Sequence, residues 1–158
     1  MQKKTCCFTG HRHLPSNQIE AIIKRLNKEL DSLICQGVTD FLSGGARGFD
    51  HIAAALVIAK REMGRDIRLT FALPCRSQDA LWTREEKELF RLLLAEADDI
   101  HYVSEHYSED CMEMRNHYMV DRSGYCVCAL VHAFSGTAQT VGYARKKGVC
   151  VINVAAGL

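Results

Sequence analysis

Three short segments of this chain combine glycine with polar or basic residues in the way that anion binding requires. The first is Thr9-Gly10-His11-Arg12-His13. Gly10 lets main chain approach a ligand closely, and Arg12 offers a planar cation for phosphate or for stacking on a base. An ordinary surface turn with incidental basic residues is the alternative. The second is Ser43-Gly44-Gly45-Ala46-Arg47-Gly48-Phe49-Asp50. Its three glycines, placed ahead of a helix, leave main-chain amides free to meet an anion, with Gly44 and Gly45 clearing space and Gly48 allowing close helix packing. It is neither the G-x-G-x-x-G dinucleotide fingerprint nor a Walker loop. The third is Ser135-Gly136-Thr137, small residues at another helix beginning whose hydroxyls can donate to phosphate oxygens.

Other residues are open to two readings. Arg115-Asn116 sits one helical turn before Met119, so Arg115 either turns inward toward the same crevice or stays solvated. Arg76, in the loop after the third strand, is a second phosphate partner. Trp82 in that loop stacks on a base or packs as a hydrophobic anchor. His11, His13, His51 and His132 all fall near strand ends, yet no H-x-x-x-H or His/Cys spacing argues for a metal. The eight cysteines lack C-x-x-C spacing and read mainly as small buried hydrophobes.

The elements that must position these residues alternate from end to end. Strands are expected at Lys4 to Thr9, Val38 to Leu42, Ile67 to Leu73, Ile100 to Val103, Tyr125 to Val131 and Val149 to Val154. Helices are expected between them. In the first, Asn17 to Cys35, residues Ile19, Ile22, Ile23, Leu26, Leu30, Leu33 and Ile34 recur at helical steps, with Ser16 or Asn17 as the cap. The second spans Arg47 to Met63, with Ile52, Leu56, Ala59 and Met63 inward. Thr83-x-x-Glu86 is a capping box for the third, which runs to about Ala97. Ser108 caps the fourth, and Thr137 to Lys147 is the fifth. Gly37, Gly64, Gly124 and Gly148 each fall between a helix and the next strand, where a left-handed C-cap is wanted.

Alternating strand and helix implies a single α/β domain over residues 1–158, Rossmann-like, with a mainly parallel sheet flanked by helices on both faces as three layers, α/β/α. In such a sheet ligands bind at the carboxyl ends of the strands. At 158 residues, with 47% hydrophobic and 25% charged residues, the chain has the ordinary globular mix. The first residues, Met1 to Thr5, lead into an apolar stretch too short for a signal peptide or a membrane span, so a cytoplasmic location is expected. A net charge of +1 argues against nucleic acid as a partner. Apolar helix surface serves a homodimer as readily as a core.

Taken together, the segments resemble the SLOG superfamily, which includes the Smf/DprA DNA-processing proteins and the Lonely Guy phosphoribohydrolases. Ser43 to Asp50, followed by Ala53 to Leu56, is similar to the S-G-x-A-R-G-I-D segment of the first branch. Arg115-x-x-x-Met119 and Ser135-Gly136-Thr137 are similar to the R-x-x-x-M and G-G-x-G-T pattern of the second. Thr9 to Arg12, Arg115 to Asp121 and Ser135 to Ala144 together resemble most the small YpsA/YoqJ-type members. The resemblance implies a phosphate-bearing small-molecule ligand such as a nucleotide, ADP-ribose or NAD. It also implies, in Lonely Guy enzymes, a glutamate that helps break an N-glycosidic bond three residues after the G-T threonine. Thr140 stands there, and a hydroxyl cannot act as a carboxylate base. Asp50, Asp121 or Glu113 would have to substitute, with Arg115 as the other catalytic candidate. The expectation is therefore nucleotide binding or sensing, with an N-glycosidase or a single-stranded DNA accessory as alternatives.

Overall fold

The computed structural model describes residues 4–158, so the reading made of Met1 to Lys3 lies outside the described residues. Eleven elements alternate: β1 (Thr5–Gly10), α1 (Ile19–Cys35), β2 (Asp40–Ser43), α2 (Phe49–Glu62), β3 (Arg68–Leu73), α3 (Arg84–Ala95), β4 (Asp99–Tyr102), α4 (Cys111–Asp121), β5 (Tyr125–Ala129), α5 (Gly136–Lys146) and β6 (Cys150–Asn153). The strands pair in the order β4-β3-β2-β1-β5-β6, all parallel. Helices α1, α2 and α3 pack on one face, burying Ile22, Leu26, Phe49, Val57 and Phe90 among others. Helices α4 and α5 cover the other, through Met119, Val120 and Ala144. This is the three-layer α/β/α Rossmann-like fold that the alternation predicts. No helix among the described residues is long and apolar enough to cross a membrane.

The topology itself places a crevice. The chain builds outward from β1 through β2 and β3 to β4, and α4 then carries it back across the opposite face to β5, on the far side of β1. Loops leaving β1 and β5 therefore diverge at their carboxyl ends, which is where an open parallel sheet accepts a ligand.

Local signals account for the elements with four corrections. The Thr83 capping box forms as expected: Thr83 Oγ1 accepts from the Glu86 amide at 3.2 Å, and the Glu86 carboxylate accepts from the Thr83 amide at 2.8 Å. The expected caps of α1 and α4 do not form. Gln18 and Asp110 occupy those positions without a side-chain cap bond, and the Ser108 hydroxyl bonds the Asp110 carboxylate instead. In α2 the inward stripe is Phe49, Ala53, Val57 and Lys60, while Met63 is exposed. Small alanines let α2 approach the sheet there, so residue size outweighs apolar periodicity. Gly124 adopts no left-handed turn; its amide donates to Thr5 and its carbonyl accepts from Cys150, so it already bridges the strands.

Candidate functional site

Burial and hydrogen bonding at the switch point begin with β1, whose end brings Gly10 against α2. A Cβ on Gly10 would meet the Phe49 ring at 2.5 Å, so only glycine allows this approach. The next residue ties the two diverging loops together. His11 is buried, and its Nε2 accepts from the amides of Val131 at 2.9 Å and His132 at 3.1 Å. An acceptor at Nε2 requires a neutral ring. Desolvation, with the neighbouring His132, holds its pKa below the ordinary value. His11 is thus a clasp between the β1 and β5 loops.

The α2 beginning is occupied by the protein's own groups. The Ser43 hydroxyl accepts from the Gly45 amide at 3.3 Å and donates to the Asp50 carbonyl at 3.1 Å. The Ala46 amide donates to Asp50 Oδ2 at 3.3 Å. The Asp50 carboxylate therefore stands where an anion at this helix beginning would stand. Arg115 reaches across from α4, buried like Asp50, and donates through Nη1 to the Gly44 carbonyl at 2.5 Å and through Nε to Asn116 Oδ1 at 2.7 Å. A Cβ on Gly44 would lie 2.7 Å from Arg115 Nη1 and 2.9 Å from Asp50 Oδ2, so that glycine makes room for the pair. Gly48 has φ of 83°, and a Cβ there would strike the Arg12 and His11 carbonyls.

Electrostatically the pair is unequal. Desolvation outweighs the pull of Arg115 and raises Asp50 from 3.8 to about 6. The same burial lowers Arg115, partly offset by Asp50. Asp50 Oδ1 is buried without a hydrogen-bond partner among the described residues. A carboxylate held so is the kind of group that proton-transfer sites use.

The α5 beginning is open. Ser135 caps it by accepting from the Ala138 amide at 3.1 Å, and its hydroxyl donates to the His132 carbonyl. The amides of Gly136 and Thr137 have no partner among the described residues.

These parts enclose a cavity of about 280 Å³. Gly10, His11 and Arg12 line it from β1, and Ala46 and Asp50 from α2. Arg115 and Asn116 line it from α4, and Ser135, Gly136 and Thr137 from α5. Met112, which the sequence reading did not single out, also lines it; only α4's docking brings it there. Ser43, Gly44, Gly45 and Gly48 shape the wall from behind. Arg47 turns away, its Nη1 3.2 Å from Glu86 and its guanidinium over Trp82. Arg76 is exposed, pairs with Glu105 at 3.0 Å and lies outside this cavity. Asp121 accepts from the Tyr143 hydroxyl at 2.7 Å at the opposite, amino edge of the sheet. It sits at the end of α4, about a turn and a half beyond Arg115, and so cannot share its site. Glu113 is exposed on α4 and lies 3.7 Å from His117. The Thr140 hydroxyl donates back to the Gly136 carbonyl at 3.0 Å.

Residues 7–147 match the YpsA family, described as the YspA SLOG family. The chain belongs to that family. Relatives of this SLOG protein include the SPbeta prophage-derived protein YoqJ of Bacillus subtilis, 30% identical over 118 residues that cover 67% of this chain and 69% of YoqJ. A UPF0398 protein of Bacillus cereus is 22% identical over 133 residues, covering 82% and 72%. Among solved structures, DNA processing protein A (DprA) from Streptococcus pneumoniae superposes with a TM-score of 0.68 at 15% identity, over 93% of this chain and 48% of that one. DprA from Helicobacter pylori, described by its single-stranded DNA binding mode, gives 0.65 at 16% identity, over 95% and 64%. The chain thus spans about half of the first DprA and under two thirds of the second.

The expectation against nucleic acid is overturned by this finding. The same fold, in the Helicobacter pylori protein, binds single-stranded DNA. Net charge averages over the whole surface, whereas binding follows the local field at one edge.

Proposed function

We propose that this SLOG protein binds the phosphate of a nucleotide in the cavity between the β1 and β5 loops. One observation carries the reading: the unpartnered amides of Gly136 and Thr137 open, at a helix beginning, onto a cavity that Arg12 and Arg115 also line. Free amides and the positive end of the helix dipole favour an anion there. Asp50 is the one acid lining it among the described residues, and the nearby Arg115 charge partly offsets that carboxylate. A volume of about 280 Å³ lies just below the usual range of ligand cavities, roughly 300–1,000 Å³. That suits a mononucleotide better than the whole of NAD or ADP-ribose. Phe134, fully exposed one residue before the Ser135 cap and outside the residues that line the cavity, is the aromatic side chain this reading assigns to the base.

A thermal-shift and calorimetric panel of AMP, thymidine monophosphate, ADP-ribose and NAD tests this. Ligand at a hundredfold its Kd adds about 2.7 kcal/mol of stability. Phe134→Ala is expected to weaken binding by about 1–3 kcal/mol, the worth of one stacked base, without changing the Tm of the free protein. No shift with any phosphate compound defeats the reading.

A second reading, N-glycoside hydrolysis, is favoured by one feature: the buried, unpartnered Asp50 oxygen beside the cavity, on a group raised to about 6. With Thr140 spent on Gly136, Asp50 is the carboxylate available to support a developing oxocarbenium ion. Incubation with AMP, followed by chromatography for free adenine, decides it. Turnover should rise with pH through about 6 and vanish in Asp50→Asn.

A further inference from the structure

We propose that the same edge of the sheet carries a second site, between α3 and β4, that takes a further nucleotide unit of a single strand. This rests on the nucleotide reading above and extends it from one unit to a strand. The site is a concavity of about 560 Å³, twice the volume of the switch-point cavity. It opens where β3 and β4 end, beside Leu73 and Tyr102.

Its lining has the composition that single strands need, which is cations interleaved with aromatic planes. Arg84, Lys87 and Arg91 recur at helical spacing and share one face of α3, while Arg76 comes from the β3–α3 loop. Trp82 and Tyr102 lie among them. The Arg76 guanidinium sits 4.2 Å over the Tyr102 ring, which makes a stacked platform on which a base can be laid. Two carboxylates line the cavity, Asp79 and Glu88, and Glu88 is held by Arg91 at 2.6 Å. At the rim Glu105 holds Arg76. Arg84 and Lys87 have no ion pair among the described residues and remain for phosphate. A chain of net charge +1 thus gathers four cations against two acids in one concavity.

The two sites are spaced for one ligand. Three inter-strand steps separate the β1–β5 gap from the β3–β4 gap, about 14 Å at roughly 4.8 Å per step. Between them lies the loop carrying Arg47, whose guanidinium rests 5.2 Å from Trp82. A free mononucleotide would fill one site and leave the other empty; a short single strand engages both. An acidic peptide would use the cations and leave the aromatic planes idle.

The test uses the full chain and fluorescently labelled oligothymidylate about twelve nucleotides long, within the range of single-strand sites. The variant Arg84→Gln/Lys87→Gln changes two exposed positions to a good helix former, so an unchanged Tm shows that it folds. We expect it to weaken oligonucleotide binding at least tenfold at low salt. The slope of log K against log salt should also fall by about 1.4, or 0.7 for each lost phosphate contact. Binding of thymidine monophosphate, measured by calorimetry, should stay as in the wild type. Polyglutamate of equal charge should compete weakly.

The proposal is overturned if the double variant binds the oligonucleotide with unchanged affinity and slope. It is equally overturned if monophosphate binds as tightly as the strand, or if polyglutamate competes as well as unlabelled strand. Should the strand bind through Arg84 and Lys87 while monophosphate fails to bind and Phe134→Ala has no effect, the switch-point reading falls and the second site stands.

Discussion

Of the five helices that begin at the carboxyl edge of this sheet, α2 and α5 each start at a short glycine-bearing turn after a strand. At α2, a carboxylate in the first turn folds back onto the Ala46 amide, Ser43 takes the Gly45 amide, and Arg115, held on the Gly44 carbonyl, lends the carboxylate a nearby positive charge from α4. At α5 no acid lies in the first turn, and Ser135 takes only the Ala138 amide. The first beginning is therefore a strut already carrying the protein's own carboxylate, and the second leaves the Gly136 and Thr137 amides without a partner among the described residues. One acidic residue at the right step separates a filled helix beginning from an open one.

That contrast can be broken from either side. The largest effect is expected for Arg115→Ala, which removes the positive charge beside the buried Asp50 carboxylate and the bond to the Gly44 carbonyl, and should cost about 3–5 kcal/mol of stability at pH 7.5. Below pH 6 the acid is already protonated, so the loss should shrink; urea unfolding at both pH values measures it. An equal loss at both would show that packing, and not charge, is what Arg115 supplies.

Next comes Asp50→Asn. Because the folded chain holds the Asp50 proton up to about pH 6 and the unfolded chain releases it near 3.8, this group's contribution to stability declines as pH rises between those values. The asparagine variant mimics the protonated acid. It should match the wild type near pH 3.8 and exceed it above pH 6 by up to about 3 kcal/mol. Lower stability at pH 7.5 would show that the nearby Arg115 charge favours the folded state more than burial disfavours it. His11 runs the other way: its depressed pKa means that stability declines as pH drops below 6.5, in the wild type and in the variant alike.

The smallest effect belongs to the open beginning. Ser135→Ala removes an N-cap and should lower stability by about 1 kcal/mol in urea unfolding, with monophosphate binding retained. Loss of binding with unchanged stability would place the hydroxyl, and not the amides, on the ligand.

Much was legible in one dimension. Helix and strand alternation follows from apolar periodicity and from glycines such as Gly37 and Gly64, because those signals act over a few neighbouring residues. The Thr83 capping box is equally local. The three glycine turns could be placed at one edge because a parallel sheet sends every strand's carboxyl end there. Ten of the candidate residues, from Gly10 to Thr137, line one cavity for that reason.

What the chain's order alone could not decide is which groups satisfy which. That Asp50, and not a ligand, meets the Ala46 amide depends on Arg115 arriving from 65 positions further along, on a helix docked against the opposite face. Asp121 shares a helix with Arg115 yet ends at the other edge, since helix length carries it across the sheet. The amphipathic run of α3 shows a charged stripe, but only the packing of Tyr102 and Trp82 beside it makes a concavity. Local spacing determines elements and the edge at which they end. Burial, counter-charge and vacancy are relations between distant residues, and only the assembled sheet decides those.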